Sequence, residues 1–247
     1  MHNPMSLYNK HVLVAGASSG IGRETAILAS MMGAKVDIIA RREEKLMETL
    51  SQMEGQAHAY SFDLTDLEGI EHLIQRIVTE NGALDGMIFA AGIGSFRTLK
   101  MTKPVFMHNM MQTNFYPFME SVRVFTKKGN YNKGASIVGV SSVAAFRGDR
   151  SQSAYAASKA ALSAVVHPIA KEIAGLGMRI NAVAFGAIHT DMYENFLQFG
   201  GNEDTWRNQY LGIGTVKDAA NVLCFLLSDA SALITGSTLY ADGGYLS

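Results

Sequence analysis

The chain has 247 residues, 48% of them hydrophobic and 17% charged, with 21 basic against 22 acidic side chains. That length and balance suit one globular domain over 1–247 with a sizeable core, and no polar or repetitive tract suggests a disordered arm. A net charge of −1 supplies no basic field to hold nucleic acid or an anionic membrane surface, so the expected partner is a small molecule.

Cys224 is the only cysteine, which excludes an internal disulfide and a cysteine-built metal site. Within the apolar "NVLCFLL" it reads as a buried, inert thiol in preference to a reactive one. The opening "MHNPMSLYNK" lacks an apolar signal core, and no apolar run approaches the ~20 residues of a membrane span. The seven histidines show no paired ligand spacing. A soluble, cytoplasmic protein without a metal is therefore expected.

Short runs rich in Val, Ile and Ala recur along the chain as "HVLVAG", "KVDIIA", "AHAYSFD", "LDGMIFAAG", "ASIVGVSS", "RINAVAFG" and "STLYADGG". Helical stretches separate them at about 20–32, 43–53, 67–81, 103–127, 152–174 and 216–227. This alternation predicts an α/β fold, a doubly wound (Rossmann-type) three-layer sandwich around a seven-stranded parallel sheet. One interruption follows the sixth strand, where residues 190–214 carry Tyr193, Phe196, Phe199, Trp206 and Tyr210. Ligands of open α/β sheets lie beyond the carboxyl ends of strands, so the insertion reads as a substrate lid or as a packed helical hairpin, and both readings can hold.

Between the first strand and the first helix lies "VLVAGASSGIGRETA", with Gly16, Gly20 and Gly22. Glycines there permit a tight turn and let pyrophosphate oxygens reach backbone N–H groups at the positive end of the helix. The alternative is a purely structural turn. The second strand ends "IIARR": Ala40 stands where an acidic residue would bind a ribose 2′-hydroxyl, and Arg41 and Arg42 follow. That pattern favours NADP(H) over NAD(H), against the alternative of a solvated helix start. Asp37 lies too early in the strand and should point elsewhere. In "FDLTD", Asp63 is placed to accept a hydrogen bond from an adenine ring.

The stretch "SAYAASKAAL" sets Tyr155 four residues ahead of Lys159. On a helix the two share a face, and an ammonium near a phenol lowers the cost of ionising it, which suits a group that exchanges a proton with a carbonyl or alcohol oxygen. Ser142 closes the fifth strand at its carboxyl end, where its hydroxyl can hold a substrate oxygen beside that phenol.

Taken in order, "AGASSGIG", "FDLTD", "SAYAASK", "RINAVAFGAIHTDM" and "ITGSTLYADGG" resemble the short-chain dehydrogenase/reductase family over nearly the whole chain. The resemblance implies a catalytic set of Asn114, Ser142, Tyr155 and Lys159. Ser142 would orient the carbonyl, Tyr155 would transfer the proton, and Lys159 would also bind the nicotinamide ribose. Asn114 would hold a water linking Lys159 to solvent, the alternative being a helix-kink amide ahead of Pro117. The implied cofactor-binding residues are Gly16, Ser18, Ser19, Gly20, Ile21, Gly22, Arg41, Arg42, Asp63, Leu64, Ala91, Gly92, Tyr155, Lys159, Gly186, Ile188 and Thr190.

Three positions depart from the family pattern. Ala15 replaces a threonine; "FAAG" at 89–92 lacks the asparagine that ties neighbouring strands; Phe185 stands where a proline usually precedes Gly186. The expected function is NADP(H)-dependent hydride transfer between nicotinamide and a carbonyl or secondary alcohol. The alternatives are reduction of 3-oxoacyl groups on acyl carrier protein, weakened by Leu176 at a position often basic in such reductases, and a catalytically silent NADP-binding regulatory or scaffold protein. The aromatic lid favours an apolar or ring-shaped substrate, whereas Arg147 and Arg150 could meet an anionic one or simply be solvated. Met107, Met110, Met111 and Met119 on the helix near 103–127 suit a core or an adaptable interface, and the resemblance implies a homotetramer, with a dimer second.

Overall fold

The computed structural model describes residues 3–198 and 206–247. Its order is β1 (His11–Ala15), α1 (Gly20–Met31), β2 (Lys35–Ala40), α2 (Glu43–Leu50), β3 (Ala57–Ser61), α3 (Leu67–Asn81), β4 (Leu84–Phe89), α4 (Pro104–Asn114), α5 (Tyr116–Phe125), β5 (Tyr131–Ser142), α6 (Ser153–Ile173), β6 (Arg179–Phe185), α7 (Asp191–Gln198), α8 (Val216–Leu227) and β7 (Thr238–Ala241). The seven strands form one parallel sheet in the order β3-β2-β1-β4-β5-β6-β7. The chain reverses its direction of travel between β1 and β4, and the crevice at that point is where such a sheet binds ligands.

Strand residues alternate between two cores because successive side chains leave opposite faces. Leu13 and Ala15 of β1 join one core with Ile70, Ile74 and Ile77 of α3, Phe118 and Val122 of α5, and Leu162 and Val166 of α6. Val12 and Val14 join the other with Ala26 and Ala29 of α1, Leu46 of α2, and Ala219 and Leu223 of α8. Both faces are thus covered, as the apolar runs predict. Cys224 is buried in the second core, and burial pushes its thiol up to about 12, well away from reactive thiolate.

Local chemistry fixes several boundaries. The Asp66 side chain accepts from Gly69 N–H at 3.1 Å and starts α3, and a reciprocal Thr215–Asp218 capping box starts α8. The stretch expected as one helix near 103–127 is two. The break falls at Phe115, with φ −122 and ψ −52, because Pro117 cannot donate to the carbonyl four residues back and its ring crowds that carbonyl. Strand β5 begins at Tyr131, four residues ahead of the expected run, with an irregular register against β4 between Leu84 and Gly86.

Asp37 does point elsewhere. It is fully buried near the opposite end of the sheet from the crevice, accepting from His11 Nε2 and His58 Nδ1 at 2.8 Å each and from Asn81 Nδ2 at 3.0 Å. A carboxylate so enclosed requires that ring of donors. Where "FAAG" lacks the family's asparagine, Phe89 packs edge-on to Phe118 with ring centroids 5.5 Å apart, and Ala90 N–H bonds Ala15 C=O at 2.8 Å. Aromatic packing and a main-chain bond connect the elements there. No described helix is long and apolar enough to cross a membrane, and no group of three or more His, Cys, Asp or Glu side chains among the described residues could hold a metal ion.

Candidate active site

A cleft of about 410 Å³ runs along the carboxyl ends of the strands, from the loop after β1 to the segment around α7. At one end the glycine loop is shaped by close approach. Gly16 has φ +91, and a Cβ there would lie 2.4 Å from Ala91 N; a Cβ on Gly22 would lie 2.3 Å from Gly16 O. Neither position admits a side chain. Ser19, the residue before α1, is extended and makes no side-chain cap, so the first-turn N–H groups face the cleft with the positive end of the helix dipole. This cradle fits a pyrophosphate.

Ser18, Ser19, Gly20, Ile21, Arg41, Arg42, Asp63 and Leu64 line the same end of the cleft. The Arg42 guanidinium donates to Ser18 Oγ at 3.1 Å and Ser19 Oγ at 3.0 Å, which places its fork on the glycine loop. Arg41 is exposed and lies 3.9 Å from Asp63 Oδ2. Asp63 Oδ1 accepts from the Thr65 N–H and hydroxyl, leaving Oδ2 toward the cleft. Ala91, Gly92, Gly186, Ile188 and Thr190 line the section beyond. The expected cofactor residues therefore converge on a single groove.

Ser142, Tyr155 and Lys159 meet at its far end. Ser142 closes β5, and its Oγ accepts from Ala144 N–H at 3.2 Å, which holds the hydroxyl at the start of the following turn. Tyr155 and Lys159 share one face of α6, with the Lys159 ammonium 5.9 Å from the phenol ring centroid. Lys159 is only 4% exposed, and its ammonium donates to Val140 C=O at 2.7 Å. Burial pushes it down to about 8. Burial also pushes the Tyr155 phenol up, opposed by its hydrogen bond with Ser142.

Asn114 is fully buried between α4 and α6. Its Oδ1 accepts from Ile93 N–H at 2.8 Å, while Nδ2 donates to Ile93 C=O at 3.0 Å, Ser158 Oγ at 3.0 Å and Met110 Sδ at 3.2 Å. It sits at the α4–α5 break and also fixes the loop beside Lys159, so the kink and the site share one amide. Phe185 is buried at the end of β6, pairing with Ser142 and Ala241, and lines the cleft.

Of the aromatic residues of 190–214, Tyr193, Phe196 and Trp206 line the cleft, Tyr210 is exposed, and Phe199 lies outside the described residues. The described part of 190–214 holds one helix of eight residues, α7. Three further residues line the site or pack against its lining without a sequence signal. Phe96 packs 6.4 Å from the Tyr155 ring, Tyr245 packs 5.1 Å from Trp206, and Gln209 is buried beneath the loop after β6. Its Oε1 accepts from Ala187 N–H at 2.8 Å, and its Nε2 donates to the C=O groups of Ala187 at 3.0 Å and Gly212 at 2.7 Å. A Cβ on Gly186 would lie 2.4 Å from Gln209 Oε1. Glycine at that position is what lets the amide in.

A family model described as enoyl-(acyl carrier protein) reductase matches residues 16–246. The chain is 31% identical over 243 residues to a 3-oxoacyl-[acyl-carrier-protein] reductase of Thermotoga maritima, covering 97% of this chain and 99% of the relative. It is 33% identical over 238 residues to the 3-oxoacyl-[acyl-carrier-protein] reductase of Bos taurus, covering 96% and 98%. Among solved structures, a 7α-hydroxysteroid dehydrogenase complexed with NADH and 7-oxo glycochenodeoxycholic acid superposes with a TM-score of 0.90 at 26% identity, covering 99% and 98%. A structure from Agrobacterium tumefaciens with bound NADP gives 0.89 at 26%, covering 99% of each chain. A parallel seven-stranded sheet, a glycine loop at its crevice and these matches along almost every residue lead to one assignment: the chain belongs to the short-chain dehydrogenase/reductase family of oxidoreductases.

Proposed function

We propose that the cleft binds NADP(H) and reduces a carbonyl group to a secondary alcohol, or oxidises the alcohol in reverse. The observation that carries this reading is the meeting of Ser142, Tyr155 and Lys159 at one end of a groove whose other end is a phosphate cradle. When bound, the nicotinamide supplies or accepts a hydride at its C4, that is, two electrons and one hydrogen nucleus. Ser142 donates a hydrogen bond to the carbonyl oxygen and polarises it. Tyr155 delivers the phenolic proton to that oxygen as the carbonyl carbon gains the hydride, so one proton and one hydride complete the alcohol. The Lys159 ammonium binds the ribose and stabilises the phenolate left behind.

Asn114 holds Ile93 and Ser158 in place around Lys159, and the second lone pair of its Oδ1 remains for the water that would connect the ammonium to solvent. Arg42, forked over the glycine-loop serines, and Arg41 beside it would pair with a 2′-phosphate, and Ala40 offers no carboxylate for a free 2′-hydroxyl. Residues 1–247 act as one nucleotide-binding unit, with 190–214 as its substrate lid. The chain assembles as a homotetramer through the helices around α4 and α6, with exposed Leu99, Met101 and Val105 near that surface. It works in the cytoplasm.

Reduction of 3-oxoacyl groups on acyl carrier protein is the second reading, supported by the names of the relatives at 31–33% identity. Exposed Leu176 gives no cation for an acidic carrier at the position where such reductases often have one. The test is turnover of NADPH against a panel of ketones and 3-oxoacyl thioesters, with the alcohol product identified. Reduction of ketones with NADPH, and slower reduction with NADH, is the expected result. Tight NADP(H) binding without turnover of any carbonyl or alcohol would instead favour a silent regulatory protein.

A further inference from the structure

Phe96, Phe196 and Trp206 line the cleft beside Tyr155, and Tyr245 is buried against Trp206, so the rings form a chain in contact. Phe96 lies 6.4 Å from Tyr155, Phe196 lies 5.1 Å from Phe96, Trp206 lies 6.2 Å from Phe196, and Tyr245 lies 5.1 Å from Trp206. These rings come from four separate segments: the loop after β4, α7, the segment after it, and the C-terminal tail. Such a wall presents flat apolar faces and ring edges, which pair with rings better than with a flexible chain.

Within that wall the Trp206 indole N–H is buried and has no hydrogen-bond partner among the described residues. A buried donor left unpaired is costly, and such exceptions call for a specific explanation. Trp206 lines the cleft, so a bound molecule can provide the acceptor. Charge at the mouth argues for a neutral one. Arg147 stacks over the Tyr245 ring at 5.2 Å and donates to the Tyr245 C=O at 3.4 Å, while Asp149 accepts from the Tyr245 hydroxyl at 3.4 Å. The cation is engaged by the tail, and a carboxylate stands beside it.

We propose that the substrate is a neutral, multi-ring ketone carrying a hydrogen-bond acceptor on a ring remote from the reacting carbonyl, and that Trp206 Nε1 donates to that acceptor. Trp206 is thereby a specificity-determining residue, separate from the proton-transfer group. The proposal rests on the carbonyl-reductase reading above, and its test keeps the two apart.

The probes are trans-2-decalone, the bicyclic diketone with its second carbonyl on the far ring, 2-octanone and acetoacetyl-coenzyme A. With NADPH, the native enzyme is expected to reduce the diketone with about tenfold higher kcat/KM than 2-decalone, the factor that one neutral hydrogen bond supplies. Both ring ketones should exceed the two open-chain probes. Trp206→Phe keeps a ring in the wall, and its ratio of diketone to decalone is expected to fall close to one, chiefly through KM. A ratio near one in the native enzyme, a ratio unaltered by the substitution, or preference for an open-chain probe overturns the proposal.

Trp206 is the chain's only tryptophan, so indole fluorescence reports on this subsite alone. Titrating the diketone into NADP⁺-loaded native enzyme and Tyr155→Phe enzyme is expected to quench that signal in both. No change in either overturns the subsite. Quenching without turnover by the native enzyme upholds the subsite and overturns the carbonyl-reductase reading instead.

Discussion

Replacing Lys159 by methionine removes a buried cation while keeping most of the side chain's length. Burial displaces the ammonium from 10.5 to about 8, which at 1.36 kcal/mol per pH unit corresponds to about 3 kcal/mol of native-state destabilisation while both folded and unfolded chains carry the proton. No carboxylate among the described residues pairs with it. Its hydrogen bond to Val140 C=O returns about 1 kcal/mol, so Lys159→Met is expected to be more stable than the native chain by about 2 kcal/mol at pH 7.

The sign reverses the usual lysine pattern. Because the folded value lies below the unfolded one, the full destabilisation is present below about pH 8. Between there and about pH 10.5 the native state loses its proton first, the unfolded chain binds more protons, and the stability of the native protein rises relative to the variant. Urea unfolding of both chains at pH 7, 8, 9 and 10, at one fixed protein concentration, measures the gap. Taking the difference cancels titrations the two chains share, such as that of Cys224. A variant less stable than the native chain at pH 7, or a gap that stays constant from pH 7 to 10, would refute this reasoning. A stabilised Lys159→Met with lost turnover would show a buried charge retained for chemistry at the expense of stability.

Arg42→Ala removes the guanidinium that forks over the glycine-loop serines. It is expected to weaken NADPH binding at least tenfold and leave NADH binding within about twofold; Arg41→Ala, which lacks the bonds to the glycine-loop serines, should weaken it less, and the double variant should erase the cofactor preference. Equal losses for both cofactors would contradict the 2′-phosphate role. Gln209→Ala leaves the Ala187 N–H unpaired beneath the loop after β6, while Ala187 C=O keeps its bond from Gly214 N–H, so NADPH affinity should fall about tenfold, with a smaller change in kcat at saturating cofactor. An unaltered NADPH Kd would reduce Gln209 to packing.

Much of this architecture is legible in the sequence because it is local. Leu67–Asn81 reads correctly from its apolar spacing, the Asp66 cap and the glycine after it. Tyr155, Lys159, Ser142 and the glycine loop fall along one cleft because helix periodicity and strand ends fix where they point. The α4–α5 break was also legible, in Pro117, but the apolar run around it outweighed the signal. Phe96, Gln209 and Tyr245 are different. They lie far apart in the chain and meet only through the loops beyond the sheet, so no spacing marks them. The i, i+4 spacing likewise reveals the ammonium beside the phenol, whereas the enclosing packing that raises the Tyr155 value and lowers that of Lys159 is a tertiary property.

The proton transfer itself is tested by single-turnover stopped flow of Tyr155→Phe, loaded with NADPH and mixed with a ketone that the native enzyme reduces. The substitution deletes one oxygen and leaves the ring against Phe96. NADPH should bind within about threefold of its native affinity, while the rate of NADPH oxidation falls by roughly 10²–10⁴, the range expected for a lost general acid. Oxidation at a near-native rate with the phenol absent would contradict the account.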